Sequence, residues 1–185
     1  MRKKKTIFIL LGCILVFSVY LFGYINEETV NIEKSWELSE EEIRSIEIVG
    51  LSQGLDIRIK KAVDEKNVIV LEGSMPKSYA QKIRDIDPEA DKLLITLMNS
   101  WGFSVAKNTK DSLRMTIYLT DNELMEELIV KSNKGNINLY VPNDFECKYQ
   151  IVTNQGEVVV PETQYVGFRK IKVELGYGDI KVFKE

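Results

Sequence analysis

The chain has 185 residues, 44% of them hydrophobic and 29% charged, a balance that suits one globular domain with an additional segment. It has no histidine and only two cysteines, Cys13 and Cys147, which excludes Cys/His zinc patterns and nucleophilic sites that depend on histidine. Four of the 25 basic residues lie in residues 1–25, so the rest carries 28 acidic against 21 basic side chains. Such an acidic body repels phosphate backbones, and we expect no nucleic-acid partner.

The N-terminus predicts a membrane anchor. Four cations within residues 1–5 precede an uncharged span over residues 6–24, which as a helix would measure roughly 28 Å against a hydrocarbon thickness of about 30 Å. Acids follow at Glu27 and Glu28, so the positive-inside rule places residues 1–5 in the cytoplasm and the body outside. We therefore expect a cell-membrane localisation, with a single-pass signal anchor and an extracytoplasmic C-terminal domain.

Two other interpretations of this segment compete with an uncleaved anchor. A cleaved signal peptide has a shorter apolar core, about 7–15 residues, followed by a small-x-small site that is not convincing after Phe22. A lipoprotein would use Cys13, because LLGC resembles a bacterial lipobox, but the apolar run continues from Ile14 to Tyr24. The sequence favours the anchor over both alternatives.

A stalk and a series of strands follow the anchor. Residues 25–44 are interpreted as the stalk, in which Ser39 and Glu42 have the spacing of a helix capping box. The strands are predicted by alternation of β-forming apolar residues in SIEIVGLSQGLDIRI (45–59), NVIVLEG (67–73), LLITLM (93–98) and LRMTIYL (113–119). Polar insertions at residues 74–91 and 99–112 separate these strands and are candidate contact loops.

The C-terminal third of the chain contains a repeated sequence motif. Gly135, Gly156 and Gly178 are 21 and 22 residues apart, and the alternating segments NINL, EVVV and DIKV follow them. A fourth copy, DIRI, begins one residue later after Gly54. In each copy the glycine would take a positive φ at the corner between two strands.

A near-constant period of this size is typical of a solenoid. Equivalent strands of successive coils would pair in parallel about 4.8 Å apart, so Ile137, Val158 and Ile180 would stack in one buried ladder. Cys147, within FECKYQIV, is expected to be a buried core residue. We therefore predict an all-β fold in which a single-stranded β-solenoid or β-helix-like domain, residues 45–185, with coils of about 21–22 residues follows one N-terminal transmembrane helix.

The order of these segments resembles a known family. The anchor, IRSIEIVGLSQGLDIRI, DKLLITL, LRMTIYLT and the glycine-centred coils together look like the bacterial putative adhesin family, which includes LiaG-like cell-envelope proteins. The resemblance covers roughly residues 40–184. It implies a β-solenoid or β-helix-like sheet domain, commonly attached to the membrane in Gram-positive bacteria, and it carries over no catalytic residues. The long insertion at residues 74–91 departs from the plainest members.

Side chains beside the corner glycines are the first candidates for function. Asn136, Glu157 and Asp179 follow their glycines directly, and Asp56 is a further candidate for the same position. Stacked coils would align them as an acidic stripe that could bind Ca²⁺ or sugar. The favoured interpretation is ordinary turn chemistry, since these residue types are common at corners and stacked carboxylates repel each other.

The two insertions hold the other candidates. DIDPEAD, residues 85–91, could ligate calcium, but it lacks the glycine and distal glutamate of an EF-hand loop, so a solvated loop is favoured. Trp101 and Phe103 flank a glycine within a polar loop. They would either cap the solenoid end, which is the favoured interpretation, or form an exposed aromatic contact. Under the second interpretation, Trp101 and Phe103 are the predicted binding residues.

The sequence predicts a non-catalytic interaction domain that engages the cell envelope or a membrane-protein partner in adhesion or envelope-stress regulation. The competing interpretation is a carbohydrate-active β-helix enzyme that acts on a cell-wall polymer through two carboxylates with separated pKa values. No clear pair of this kind stands out in the sequence. We therefore expect no enzymatic activity, no metal and no cofactor.

Overall fold

The computed structural model describes residues 12–14, 18, 28–38, 44–64, 66–81, 83, 88–89, 92–97, 113–121, 125–163, 165 and 167–185. Within this part the chain is mostly β. Its strands are β1 (Thr29–Leu38), β2 (Ser45–Leu51), β3 (Leu55–Lys61), β4 (Asn67–Pro76), β5 (Pro88–Glu89), β6 (Lys92–Thr96), β7 (Leu113–Leu119), β8 (Glu127–Lys134), β9 (Ile137–Val141), β10 (Lys148–Gln155), β11 (Val158–Val159), β12 (Lys170–Tyr177) and β13 (Ile180–Lys184). A short helix, α1 (Lys77–Ala80), follows β4.

The strands form two sheets with the orders β1-β4-β7-β3-β9-β13-β11 and β10-β12-β8-β2-β6-β5. Neighbouring strands are parallel except at β1–β4, β4–β7 and β5–β6, which are antiparallel. We call these the seven-stranded and the six-stranded sheet. One face of each sheet is apolar, and the buried side chains of both belong to one continuous cluster, so the two sheets face each other across the core.

Alternation along the strands supplies this core. In β9 the side chains of Ile137, Leu139 and Val141 are buried and those between them are half-buried, as expected when successive side chains point to opposite faces. Cys147, which directly precedes β10, is also buried, so its assignment to the core is confirmed. Burial raises the pKa of the Cys147 thiol above its ordinary value, which keeps the group protonated.

The repeated glycine-centred motif forms a stack of corners between the two sheets. The units β8–β9, β10–β11 and β12–β13 each pass from the six-stranded to the seven-stranded sheet at a glycine with positive φ: Gly135, Gly156 and Gly178. A Cβ on Gly178 would collide with the carbonyl oxygen of Gly135, and one on Gly156 would collide with that of Gly178. Glycine is therefore required both for its backbone conformation and for the close approach of successive corners.

The single-stranded solenoid predicted from the repeat is contradicted. In a solenoid each coil contacts the next one along the chain, whereas here β12–β13 lies between β8–β9 and β10–β11. The unit β2–β3 contacts β8–β9 on its other side, and two antiparallel strands, β1 and β4, extend the seven-stranded sheet. The fold is a pair of mixed sheets with crossovers, because parallel pairing of similar strands does not require chain order.

The predicted ladder is corrected in the same way. Ile180 pairs with Ile137 on one side and with Val158 on the other, so Ile180, and not Val158, is the central residue. Ile180 is fully buried, whereas Val158 lies on the outermost strand with 40% of its surface exposed. Asp56 does not share the position of Asn136, because β3 pairs Asp56 with Asn138.

The predicted membrane anchor over residues 6–24 is also corrected. Of this segment the structure describes residues 12–14 and 18, all of them helical. A transmembrane helix needs about 20 consecutive apolar residues, and the described part of the chain contains no helix that is long and apolar enough. The predicted transmembrane helix and the single-pass cell-membrane localisation are therefore contradicted.

Part of the predicted stalk belongs to the fold. Within residues 25–44, Thr29–Leu38 form β1, which pairs along its whole length with β4 and buries Trp36. Ser39 and Glu42 of the proposed capping box lie outside the described residues, as does the basic segment 1–5. The body of the fold thus includes a strand that precedes the predicted boundary at residue 45.

Candidate interaction surface at the open end of the two sheets

Both sheets end on the same short stretch of chain. β10 is the outermost strand of the six-stranded sheet, and β11, which follows it after Gly156, is the outermost strand of the seven-stranded sheet. Residues 148–161, which comprise both strands and the connections around them, therefore form one end of the two described sheets. We call this stretch the open end.

The main chain of β10 presents hydrogen-bonding groups away from its sheet. Lys148 donates its N–H to the carbonyl of Arg169, which leads into β12, so Lys148 faces that neighbour. Because the main-chain groups of successive residues in a strand point to opposite sides, those of Tyr149, Ile151 and Thr153 point away from β12. They form a row of donors and acceptors of the kind that another strand can complete.

Exposed valines lie on both strands of the open end. Val152 is 61% exposed on the outer face of β10, and the consecutive residues Val158, Val159 and Val160 are each about 40% exposed. Phe168, in the connection from β11 to β12, is 94% exposed. Exposed apolar residues gathered at one place indicate a contact surface more strongly than the same residues scattered singly.

The other sheet edges are protected in ways that the open end is not. The outer residues of β1 include Glu33 and Glu37, and Glu37 pairs with Lys66 at 2.6 Å. β5, at the other edge of the six-stranded sheet, has only two residues and begins with a proline. Charge, short length and proline are the devices that prevent strand edges from pairing. Between residues 148 and 161 the only charged residues are Lys148 and Glu157.

An aromatic column leads to the open end along the outer face of the seven-stranded sheet. The guanidinium of Arg58 lies 4.5 Å from the ring centre of Tyr140, whose ring stacks on that of Phe183 at 5.0 Å. β11 ends before it reaches Phe183, because Pro161 has no N–H with which to continue the ladder onto β13. Phe183 is consequently left 40% exposed beside the open end.

The corner acids have structural partners. Asn136 Oδ1 accepts the N–H of Asp179 at 3.0 Å, and Asp179 Oδ1 accepts the N–H of Glu157 at 2.9 Å. Glu157 itself lies 3.5 Å from Lys181. These bonds join neighbouring corners. Asp56 instead accepts a hydrogen bond of 2.8 Å from Asn138. No group of acidic or sulfur ligands suited to a metal is found among the described residues.

The outer face of the six-stranded sheet beside β10 is charged. Lys131 lies 2.7 Å from Glu47, and Lys172 lies 2.7 Å from Glu174, which is the cross-strand neighbour of Val152. The hydrogen-bonded Glu47 carboxylate raises the pKa of Lys131, and the Lys172 ammonium lowers the pKa of Glu174. Paired charges thus border the aliphatic open end on this side.

The predicted binding residues Trp101 and Phe103 lie outside the described residues, as do Asp85, Asp87 and Asp91 of the acidic loop. Their roles stay predictions. The open end was missed because the three consecutive valines were interpreted as one copy of a buried ladder. The signal that could have revealed it is the stretch 149–156, which has no charged residue and contains all of β10 after Lys148.

No protein-family model matches the chain, and no curated protein matches it at a significant level. Its fold is similar to that of a putative cell adhesion protein from Clostridium sporogenes, with 13% identity and a TM-score of 0.45 over 85% of this chain and 100% of that one.

Two further similar structures are putative adhesins. The one from Parabacteroides merdae shows 15% identity and a TM-score of 0.35 over 82% of this chain and 52% of its own, so this chain spans about half of it. The one from Bacteroides fragilis shows 11% identity and a TM-score of 0.33 over 83% of this chain and 97% of its own. The LiaG-like assignment is not confirmed.

Proposed function

We propose that the chain is a non-catalytic adhesion domain that binds a protein partner at its open end. The observation that carries this proposal is the edge of β10, where the main-chain groups of Tyr149, Ile151 and Thr153 point away from the sheet beside the exposed Val152. A partner strand added there would gain main-chain hydrogen bonds, while aliphatic contacts on both sheets would add to the affinity.

The non-catalytic part of the proposal is supported by the hydrogen bonds of the corner residues. A glycosidase requires two carboxyl groups of different pKa that can reach the same substrate bond. Asp179 instead accepts a main-chain N–H, and Glu157 is paired with Lys181 at an exposed corner. These contacts support a structural role for the repeated acids.

An attachment assay tests the function. Beads coated with the full chain are mixed with cell envelope isolated from bacteria that express the chain, and bound envelope is measured for the wild type, Val152→Lys and Val159→Lys. A lysine at either position adds charge to the open end and is expected to reduce attachment strongly. Val63→Lys is the matched control, because Val63 is 96% exposed on the connection between β3 and β4.

Two results would contradict this function. In the first, Val152→Lys and Val159→Lys attach as well as Val63→Lys. In the second, the chain releases reducing ends from the cell-wall polymer, and Glu157→Gln or Asp179→Asn abolishes the release while the fold is retained. The second result would establish the enzyme interpretation instead.

A further inference from the structure

We infer that the partner at the open end is a second copy of this chain, joined by antiparallel pairing of β10 with β10 and of β11 with β11. The inference rests on the proposed function, because it names the occupant of the same surface. It is carried by the positions of Val152 and Val159 relative to the corner at Gly156, and by the distribution of charge along residues 148–161.

A single two-fold axis can serve both strands. Val152 lies four residues before Gly156 and Val159 three residues after it, so each is roughly 10–13 Å from the corner along its strand. Val152 pairs with Glu174 on the outer face of the six-stranded sheet, and Val159 pairs with Lys181 on the outer face of the seven-stranded sheet. An axis perpendicular to the sheets can therefore pass close to both valines.

The direction of the main-chain groups agrees with this axis. The main-chain N–H of Lys148 points towards β12, so the main-chain groups of Val152, four residues later, point towards β12 as well. In an antiparallel pair centred on Val152, this residue would meet its own copy at a non-hydrogen-bonded position, where side chains approach most closely. Tyr149, Ile151 and Thr153 would supply the hydrogen bonds on either side.

Charge complementarity favours a strand from a second copy of this chain over a strand from a different protein. With the pair centred on Val152, Lys148 of one copy lies opposite Gly156 of the other and therefore next to its Glu157. The open end carries only these two charges, one of each sign and on opposite sides of the axis. Antiparallel self-pairing brings Lys148 of each copy close to Glu157 of the other, so the same contact is made twice, as a two-fold interface requires.

The inference is tested by replacing Val152 with residues of opposite charge and mixing the two variants; we call this a charge exchange. Sedimentation of the full chain measures the dissociation constant of the wild type, of Val152→Lys, of Val152→Glu and of an equimolar mixture of the two variants. On a two-fold axis each variant faces itself, so we expect each alone to raise the dissociation constant about tenfold or more, through repulsion between like charges. The mixture should restore association, because lysine then faces glutamate.

The controls separate folding and other contacts from this effect. Val63→Lys and Val63→Glu are expected to leave the dissociation constant unchanged, alone or mixed. The same exchange at Val159 provides an independent pair if a variant at Val152 does not fold, as judged by circular dichroism. Association through other parts of the chain would not respond to mixing.

Three results would overturn the second-copy assignment: a wild type that stays monomeric, variants that associate like those of Val63, or a mixture that does not recover. If the wild type is monomeric while Val152→Lys still lowers envelope attachment, the second-copy assignment is wrong and the proposed function stands. If charge exchange succeeds while attachment is unaffected, the dimer is correct and the proposed function is wrong.

Discussion

Asp179 links two successive corners of the fold: its Oδ1 accepts a hydrogen bond of 2.9 Å from the main-chain N–H of Glu157. Asn136 makes the corresponding bond to the N–H of Asp179 at 3.0 Å. The corner residues thus bind the neighbouring main chain, in the same direction at each step. The series reaches the open end at Glu157, whose carboxylate lies beside Lys181.

Replacing Asp179 tests this structural role. Asp179→Ala removes the acceptor of the Glu157 N–H and should lower the free energy of unfolding by about 0.5–1.5 kcal/mol. Asp179→Asn keeps a side-chain oxygen in position and should cost clearly less. Urea unfolding of the three proteins measures the difference. Equal losses for the two variants would show that the carboxylate charge, and not the oxygen acceptor, is what matters.

Gly178 provides a second test of the stacked corners. Gly178→Ala places a methyl group against the carbonyl of Gly135 and forces alanine to a φ of +137°. We expect a loss of about 1–3 kcal/mol or more in the free energy of unfolding. Gly12→Ala is the control, because a Cβ at Gly12 meets no atom within 4 Å. Similar thermal midpoints for the two variants would contradict the close approach of the corners.

The order of the ladder predicts opposite outcomes for two apolar residues. Ile180→Asp would bury an unpaired carboxylate between Ile137 and Val158 and should cost several kcal/mol, enough to unfold a marginal domain. Val158→Asp lies on the outermost strand, where water reaches the side chain, and should cost much less. Thermal unfolding distinguishes them. A greater loss at Val158 would restore the ladder order that the repeat first suggested.

The pair of Lys131 and Glu47 predicts a pH dependence. Glu47 raises the pKa of Lys131 in the folded protein, so the pair's contribution to stability is complete below the unfolded lysine value of about 10.4. It is lost as pH rises through the higher folded pKa. Wild type should therefore lose more stability than Lys131→Met on going from neutral to strongly alkaline pH.

Lys134→Met is the matched control for this pair, because Lys134 is an exposed lysine of the same strand. Its alkaline loss of stability should follow that of the wild type when unfolding in urea is compared across the pH range. If Lys131→Met and Lys134→Met behave alike, the ion pair has no measurable role in stability.

Much of the local structure could be predicted from the sequence because it depends on short-range rules. The alternation in INLYV and the positive φ of Gly135, Gly156 and Gly178 follow from side-chain period and from the steric freedom of glycine. The order in which the repeated units contact each other could not. Ile137, Ile180 and Val158 are chemically equivalent as neighbours, so alternation alone does not specify which of them is central.

Two further misses have physical causes. β1 lies within the segment interpreted as a stalk; its alternating pattern places Lys34 between Ile32 and Trp36, and this lysine donates a hydrogen bond of 3.0 Å to the carbonyl of Ile83. Exposure of the open end depends on which unit lies outermost, and this is a property of the complete fold. The sequence therefore did not reveal the candidate surface, because the copy EVVV has the same alternation as the buried copies NINL and DIKV.

Amide hydrogen exchange along β10 tests the central claim, that the open end is the binding surface, most directly. Exchange is measured residue by residue on the full chain, free in dilute solution and associated on envelope or at high concentration. We predict that the amides of Tyr149, Ile151 and Thr153, which point away from β12, exchange rapidly in the free protein and slowly in the associated one. Equal rates for these three amides in both states, with new protection elsewhere on the chain, would contradict the claim.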